Sequence, residues 1–254
     1  MRIRGTVAVL TGTLALLSLT SPVASAAEGN ITIKNVVVNE GRSPIVVGTT
    51  LTKAVPISVT ASDDSGISKN YTSAELRRGP LFDLDYSVHG AMVCTASSRT
   101  TSTCKRTLHL SPRSETLRNS FAGIWNVNVQ VAAKDGDMYS GDYTVVRVVR
   151  ASRLTVNASP EPVKKGRTIT VTGNHTRANW ETLKYAGYGS QYVALQFRKK
   201  GSSTYHTVKT VKASRSGVLK TTVKASTDGY WRWNFAGTGT TASAKAVGDF
   251  VDVR

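Results

Sequence analysis

Arg167-Thr-Ile-Thr-Val-Thr, Tyr192-Val-Ala-Leu-Gln-Phe, Val218-Leu-Lys-Thr-Thr-Val-Lys and Tyr230-Trp-Arg-Trp-Asn-Phe decide the fold. Apolar and polar side chains alternate in each, and Gly-, Ser- and Asn-bearing turns separate them. A period of two sends successive side chains to opposite faces of a strand, so one face is buried and the other wetted. Several short runs of this kind, punctuated by turns, predict an all-β sandwich.

The N-terminal 26 residues read differently. Arg2 and Arg4 precede an apolar run from Val7 to Leu19, and Ala24-Ser25-Ala26 supplies small residues for cleavage. These are the three parts of a secretory signal peptide. The run is broken by Thr11, Gly12 and Thr13, and it is shorter than the ~20 residues that cross a bilayer. The expectation is a cleaved signal peptide over 1–26, no membrane span, and a secreted, extracellular chain beginning near Ala27. Cys94 and Cys104 are the two cysteines, and in an oxidising compartment their default state is a disulfide. The polar stretch between them predicts a hairpin stapled across its strands, worth about 2–3 kcal/mol by the chain-entropy argument.

The hydrophobic pattern restarts at Leu154, after Asp142-Tyr-Thr-Val-Val-Arg-Val-Val-Arg, with no flexible linker between. Two domains are therefore expected, 27–152 and 153–254. An internal echo relates them: Gly123-Ile-Trp-Asn-Val-Asn-Val aligns with Gly229-Tyr-Trp-Arg-Trp-Asn-Phe. A late central strand that follows a Gly and sends a Trp into the core fits an immunoglobulin-like sandwich. The fold class expected is two tandem immunoglobulin-like β-sandwiches after the cleaved signal peptide.

Charge divides unevenly. Residues 27–152 hold 14 Lys and Arg against 11 Asp and Glu, and residues 153–254 hold 17 against 5, a net of +12. Arg198, Lys199 and Lys200 sit at one strand end, Lys209 and Lys212 on the next strand, and Lys220 and Lys224 share an outward face of a third. Such a surface attracts anionic polymers, although lysines on strands also guard sheet edges from pairing.

At Arg153-Leu-Thr-Val-Asn-Ala-Ser-Pro-Glu-Pro-Val, Thr176-Arg-Ala-Asn-Trp180, Val193-Ala-Leu-Gln-Phe-Arg and the terminal Asp249-Phe-Val-Asp-Val, the chain resembles secreted actinobacterial, Streptomyces-type, tandem Ig-like proteins. Members are often labelled hypothetical or calcium-binding. The resemblance covers nearly the whole mature chain and implies fold and export. It brings no catalytic residues to transfer.

Candidate sites each carry two readings. Asp63-Asp64-Ser-Gly and Asp135-Gly-Asp137 follow strands that, as the second and sixth of a sandwich, deliver both loops to the same end. Four converging carboxylates would suit Ca²⁺, the one cofactor the sequence hints at; ordinary turn chemistry explains the same motifs. A long connection from Asn174 to Gln191 carries Trp180, Tyr185 and Tyr188. These rings either stack on a ligand or fold back over the end of the core. The four histidines, His89, His109, His175 and His206, fit no His-Glu-x-x-His motif, and no Gly-x-Ser-x-Gly elbow occurs. Asp83 and Asp85 share a strand face. The basic composition admits salt-sensitive nucleic-acid binding but no specific readout motif. The sequence thus predicts a non-enzymatic binding or structural protein whose basic second domain holds an anionic cell-envelope or extracellular polymer. A calcium-binding adhesion protein and an extracellular hydrolase are the alternatives.

Overall fold

The computed structural model describes residues 26–79, 86–114 and 117–254, so the expected leader, apart from Ala26, and the pair Asp83 and Asp85 lie outside the described residues. Among the described residues the first half of the chain supplies β1 (Ala26–Glu28), β2 (Thr32–Val38), β3 (Ile45–Val47), β4 (Lys53–Ser62), β5 (Ser73–Arg78), β6 (Tyr86–Ala91), β7 (Val93–Ala96), β8 (Thr101–Leu110), β9 (Gly123–Ala132) and β10 (Met138–Arg150). One sheet runs β2-β4-β8-β7; the other runs β1-β10-β9-β5-β6, with β3 parallel to β10. This is the strand order of an immunoglobulin-like sandwich, A-B-E-D facing G-F-C-C′. Alternation builds its core: Val55, Ile57, Val59 and Ala61 of β4 face Trp125, Val127, Val129 and Val131 of β9. The Trp125 indole N–H is satisfied by the Phe121 carbonyl at 2.7 Å. Cys94 and Cys104 are directly paired across β7 and β8 and joined by the disulfide.

The second half supplies β11 (Ser152–Leu154), β12 (Asn157–Ser159), β13 (Thr168–Asn179), β14 (Lys184–Gly187), β15 (Tyr192–Lys199), β16 (His206–Lys212), β17 (Val218–Lys224), β18 (Gly229–Phe235), β19 (Ala244–Lys245) and β20 (Asp249–Val251). On one side β13 is flanked by β11 and β12, by β14 and by β17. On the other, β16-β15-β18 continues to β19 and β20. The A-B-E and C′-C-F-G arrangement repeats, so the echoed segments, β9 and β18, occupy equivalent central strands. Trp231, Trp233 and Phe235 point inward against Ile169, Val171 and Leu219. Trp233 donates to the Thr172 carbonyl at 3.0 Å and lies where any Cβ on Gly173 would collide with it. Each large apolar side chain buried in this way contributes about 1.5–3 kcal/mol.

Only Ala151 separates β10 from β11. The stretch from Asn174 to Gln191, expected as a long connection, is instead the end of β13 and the paired strand β14, a hairpin that reaches back across the junction. β13 is 12 residues long and runs past the end of β17, which pairs with Thr168–Asn174, so that its last four residues pair with β14 and Trp180 follows at the tip. Trp180 is 1% exposed and belongs to the core of the first sandwich, where its ring N–H donates to the Val47 carbonyl at 3.3 Å. Asn119 clamps the same tip: its carboxamide oxygen accepts from Trp180 N at 3.0 Å, and its Nδ2 donates to Asn179 Oδ1 at 2.9 Å. Buried Arg150 donates from Nε to the Ala178 carbonyl at 2.6 Å, and its backbone bridges to the loop at Thr240–Ala242. Burial, and then the neighbouring charge of Arg177, push the Arg150 pKa down to about 10. Of the aromatic connection, therefore, Trp180 packs as a plug. Tyr185 is half-buried against the first core under Arg153, and Tyr188 against the second core under Arg177.

Behind this joint lies His175 of β13. It is fully buried, with ring centroids 5.1 Å from Tyr188 and 4.4 Å from Phe235, and neither ring nitrogen has a hydrogen-bond partner. Burial first, and Arg177 second, push its pKa down to about 4.

Two outcomes follow from the joint. Trp180→Ala empties a site in the first core and should cost about 3–5 kcal/mol. It should also split a calorimetric melt into two transitions; an unchanged single transition would show that the plug does not couple the sandwiches. For His175 the folded pKa lies below the unfolded value. Between about pH 6.5 and pH 4 the unfolded chain therefore takes up a proton that the folded chain refuses, and stability falls as pH falls through that window. His175→Phe should flatten the pH dependence of urea-unfolding free energy between pH 7 and 4.5 by about 2–3 kcal/mol. A variant with the wild-type slope would show that other groups set it.

Candidate functional site

The acidic loops converge as far as three residues. β4 ends at Ser62 and β9 at Ala132, and the turns that follow are tied by Lys134 N donating to the Gly66 carbonyl at 2.9 Å. One carboxylate oxygen each from Asp63, Asp64 and Asp135 lies within 4.8 Å of the others. Asp63 is buried. Its Oδ1 accepts from Ser65 N at 2.8 Å and from Ser65 Oγ at 2.6 Å, the expected turn chemistry, whereas its Oδ2 is buried without a partner. Asp64 and Asp135 are exposed. Asp137 does not join them: its Oδ2 accepts from Asn30 N at 3.1 Å, so it faces the N-terminal strand region. Three carboxylates of this kind can present oxygen ligands to a hard cation.

The residues expected to form a ligand surface occupy three places. Trp180, Tyr185 and Tyr188 belong to the joint. Lys220 and Lys224 project from β17, on the sheet opposite β15, so they share no face with Arg198. Lys199 is exposed at the end of β15 opposite Gly229. Lys200 lies 3.6 Å from Asp228 and 5.5 Å from the Phe250 ring centroid. No hydrogen bond or ion pair among the described residues joins His89, His109 or His206 to a carboxylate.

Around Arg198 the structure assembles a group that the sequence reading missed. Inward alternation on β15 and β18 leaves Gln196, Arg198, Tyr230 and Arg232 on the outer face. The register sets Arg198 opposite Tyr230 and Gln196 opposite Arg232. Tyr205, just before β16, enters between them. The Arg198 guanidinium lies 4.1 Å from the Tyr230 centroid and 5.3 Å from that of Tyr205, and Arg232 lies 3.6 Å from Tyr205. Arg198 Nη1 donates to the Ser202 carbonyl, and Arg232 Nε donates to Gln196 Oε1 at 2.9 Å. Both guanidinium groups are thus held by stacking and one hydrogen bond, with other N–H edges left over. The available signal was the Tyr230-Trp-Arg232-Trp alternation, which exports a Tyr and an Arg as surely as it buries two Trp.

A cleft of about 500 Å³ also opens beside the joint, between Pro44, Val46 and Arg147 on one wall and the loop Gly237–Ser243 on the other. A groove of about 700 Å³ crosses the outer face of the β2-β4-β8-β7 sheet along Val37, Pro56 and Val93.

No protein-family model matches the chain, and no curated protein matches it in sequence. Among solved structures it is similar to a marsupial T cell receptor, at 12% identity over 87% of this chain and 72% of the receptor chain, with a TM-score of 0.36. It is similar to the fibronectin(III)-like modules of Clostridium thermocellum CbhA at 12% identity, 86% and 93% coverage and a TM-score of 0.31. The D0-D1 domain of Intimin gives 13% identity, 86% and 98% coverage and 0.27. At this similarity the relation extends to no ligand, partner or activity, and the immunoglobulin-like assignment rests on the sheet order itself.

Proposed function

We propose that the chain is an exported, non-enzymatic binding protein in which 27–152 is a spacer module and 153–254 is the module that holds an anionic cell-envelope or extracellular polymer. One observation carries this reading: the positive charge of the second sandwich is not neutralised from within. Of its 17 Lys and Arg, Lys200 and Arg254 are the ones that reach a carboxylate within 4.0 Å among the described residues. The remaining cations leave a field that attracts polyanions over a Debye length. Purified protein mixed with isolated cell-envelope material should co-sediment when the Debye length is about 10 Å or more, and release when salt shortens it to about 3 Å. Failure to bind at low salt would end this reading.

A second reading is favoured by a separate observation, the buried and unpartnered Oδ2 of Asp63 beside Asp64 and Asp135. A buried carboxylate oxygen without a donor carries a desolvation cost that a bound cation would offset. On this reading Ca²⁺ stabilises the end of the first sandwich. Millimolar Ca²⁺ should then raise the melting midpoint relative to chelator in the native protein and leave Asp63→Asn unmoved. Superimposable native curves would exclude the site.

A further inference from the structure

We infer that the outer face of β15 and β18 is a binding site for a carboxylated polysaccharide, with Arg198 and Arg232 taking the carboxylates and Tyr192 taking a sugar ring face. This inference rests on the polyanion reading above and names the ligand class and the face.

The arginines are the first argument. Both guanidinium groups stack on Tyr205, so their centres lie within about 9 Å of one another. The register makes them diagonal neighbours on one sheet face, within reach of a single ligand. Among the described residues no ion pair reaches either guanidinium, and Asp228, the other diagonal neighbour of Arg198, is taken up elsewhere. The chain's five acidic residues beyond 152 are Glu161, Glu181, Asp228, Asp249 and Asp252. Glu181 bonds Asn119 in the joint, and Asp228 accepts from Val253 N and pairs with Lys200. Asp249 accepts from Ala158 N at 2.6 Å, and Asp252 pairs with Arg254. Glu161 stands in the turn between β12 and β13, close enough to Asp249 for their charges to interact. With no carboxylate of the described residues paired to them, Arg198 and Arg232 are open to an anion from outside. A planar fork, pre-positioned by ring stacking, offers paired N–H donors to a carboxylate or a phosphate alike, and the groups around it decide between the two.

The second argument concerns what accompanies the charge. Tyr192 is 69% exposed on the same face of β15, with Lys212 5.8 Å from its ring centroid. Between it and Gln196 on that face lies Ala194, paired with Asn234. Tyr192 and Gln196 are four residues apart, roughly 13 Å along the strand. That span suits a short run of linked sugars, one ring on the tyrosine and a carboxylate on the arginine stack. A polyol-phosphate chain has no ring to place on Tyr192. Single-stranded nucleic acid uses successive open aromatic platforms, whereas the faces of Tyr205 and Tyr230 are already covered by guanidinium.

The test measures affinity of the purified protein for polygalacturonate, with fully methyl-esterified polygalacturonate, inorganic polyphosphate and a single-stranded oligonucleotide as competing probes. Native protein should bind polygalacturonate and lose at least tenfold on esterification. R198Q/R232Q should lose at least tenfold, and so should R198K/R232K, which keeps the charge but not the planar fork. Y192A should lose several-fold toward polygalacturonate and nothing toward polyphosphate. K220Q/K224Q, on the opposite sheet, should stay within twofold; near-ultraviolet circular dichroism checks that each variant is folded. If K220Q/K224Q loses as much as R198Q/R232Q, or if R198K/R232K binds as well as native protein, the face is wrong while the polyanion reading stands. Polyphosphate or the oligonucleotide binding as tightly, with the same arginine dependence, would overturn the carboxylated class. No binding to any polyanion at low salt would overturn both.

Discussion

Side-chain alternation along β18 is the constraint from which fold and site both descend. Seven residues, Gly229 to Phe235, send Trp231, Trp233 and Phe235 into the core and Tyr230 and Arg232 to the opposite face. The two sets cannot be separated, because a slip of one residue would exchange them. Burial of three large aromatics fixes the register, and that register presents Arg232 to Tyr205 and Gln196. The positions from which the outer-face side chains emerge are therefore set by the core beneath, and ring stacking and one hydrogen bond hold each guanidinium. Groups held in this way lose little freedom on meeting a ligand, which is where preorganised sites gain affinity.

Rigidity at the joint extends the same logic to the whole molecule. A covalent connection of one residue would still let two sandwiches hinge. Trp180 removes that freedom by leaving its own sandwich and completing the core of its neighbour, while Asn119 and Arg150 satisfy the backbone groups that the excursion exposes. The electrostatic cost is visible: Arg150 has its pKa pulled down, and His175 is kept neutral far below its ordinary range. Buried polar groups of this sort mark where the fold trades stability for a fixed geometry.

How much of this could be read beforehand depends on the range of the interaction. Strand identity is local, so the alternation in 167–172, 192–197, 218–224 and 230–235 was legible, as was the Trp125 and Trp231 echo and the Cys94–Cys104 hairpin. The convergence of Asp63, Asp64 and Asp135 followed from strand order once a sandwich was assumed; the turning away of Asp137 to Asn30 did not, since nothing local records that contact. Trp180 reads in the sequence as a ring within a long connection, whereas the segment pairs as β13 and β14 and the ring ends more than 130 residues away at Val47. Charge alone groups Lys220 and Lys224 with Arg198. Sheet assignment separates them, and it is a property of topology that no charge count contains.

That separation also decides which cations need an explanation. β17 pairs with β13 on one side, and β16 with β15 on one side, so Lys220, Lys224, Lys209 and Lys212 stand on sheet edges. Charged edge strands resist pairing with other chains, which accounts for those lysines without a ligand. Arg198 and Arg232 are on β15 and β18, each hydrogen-bonded to a strand on both sides. Edge protection gives no reason for them. Nor does solubility, which exposed lysines supply without the cost of ordering two arginines against tyrosine rings. The stacked pair is thus a part of the +12 charge that neither edge protection nor solubility explains.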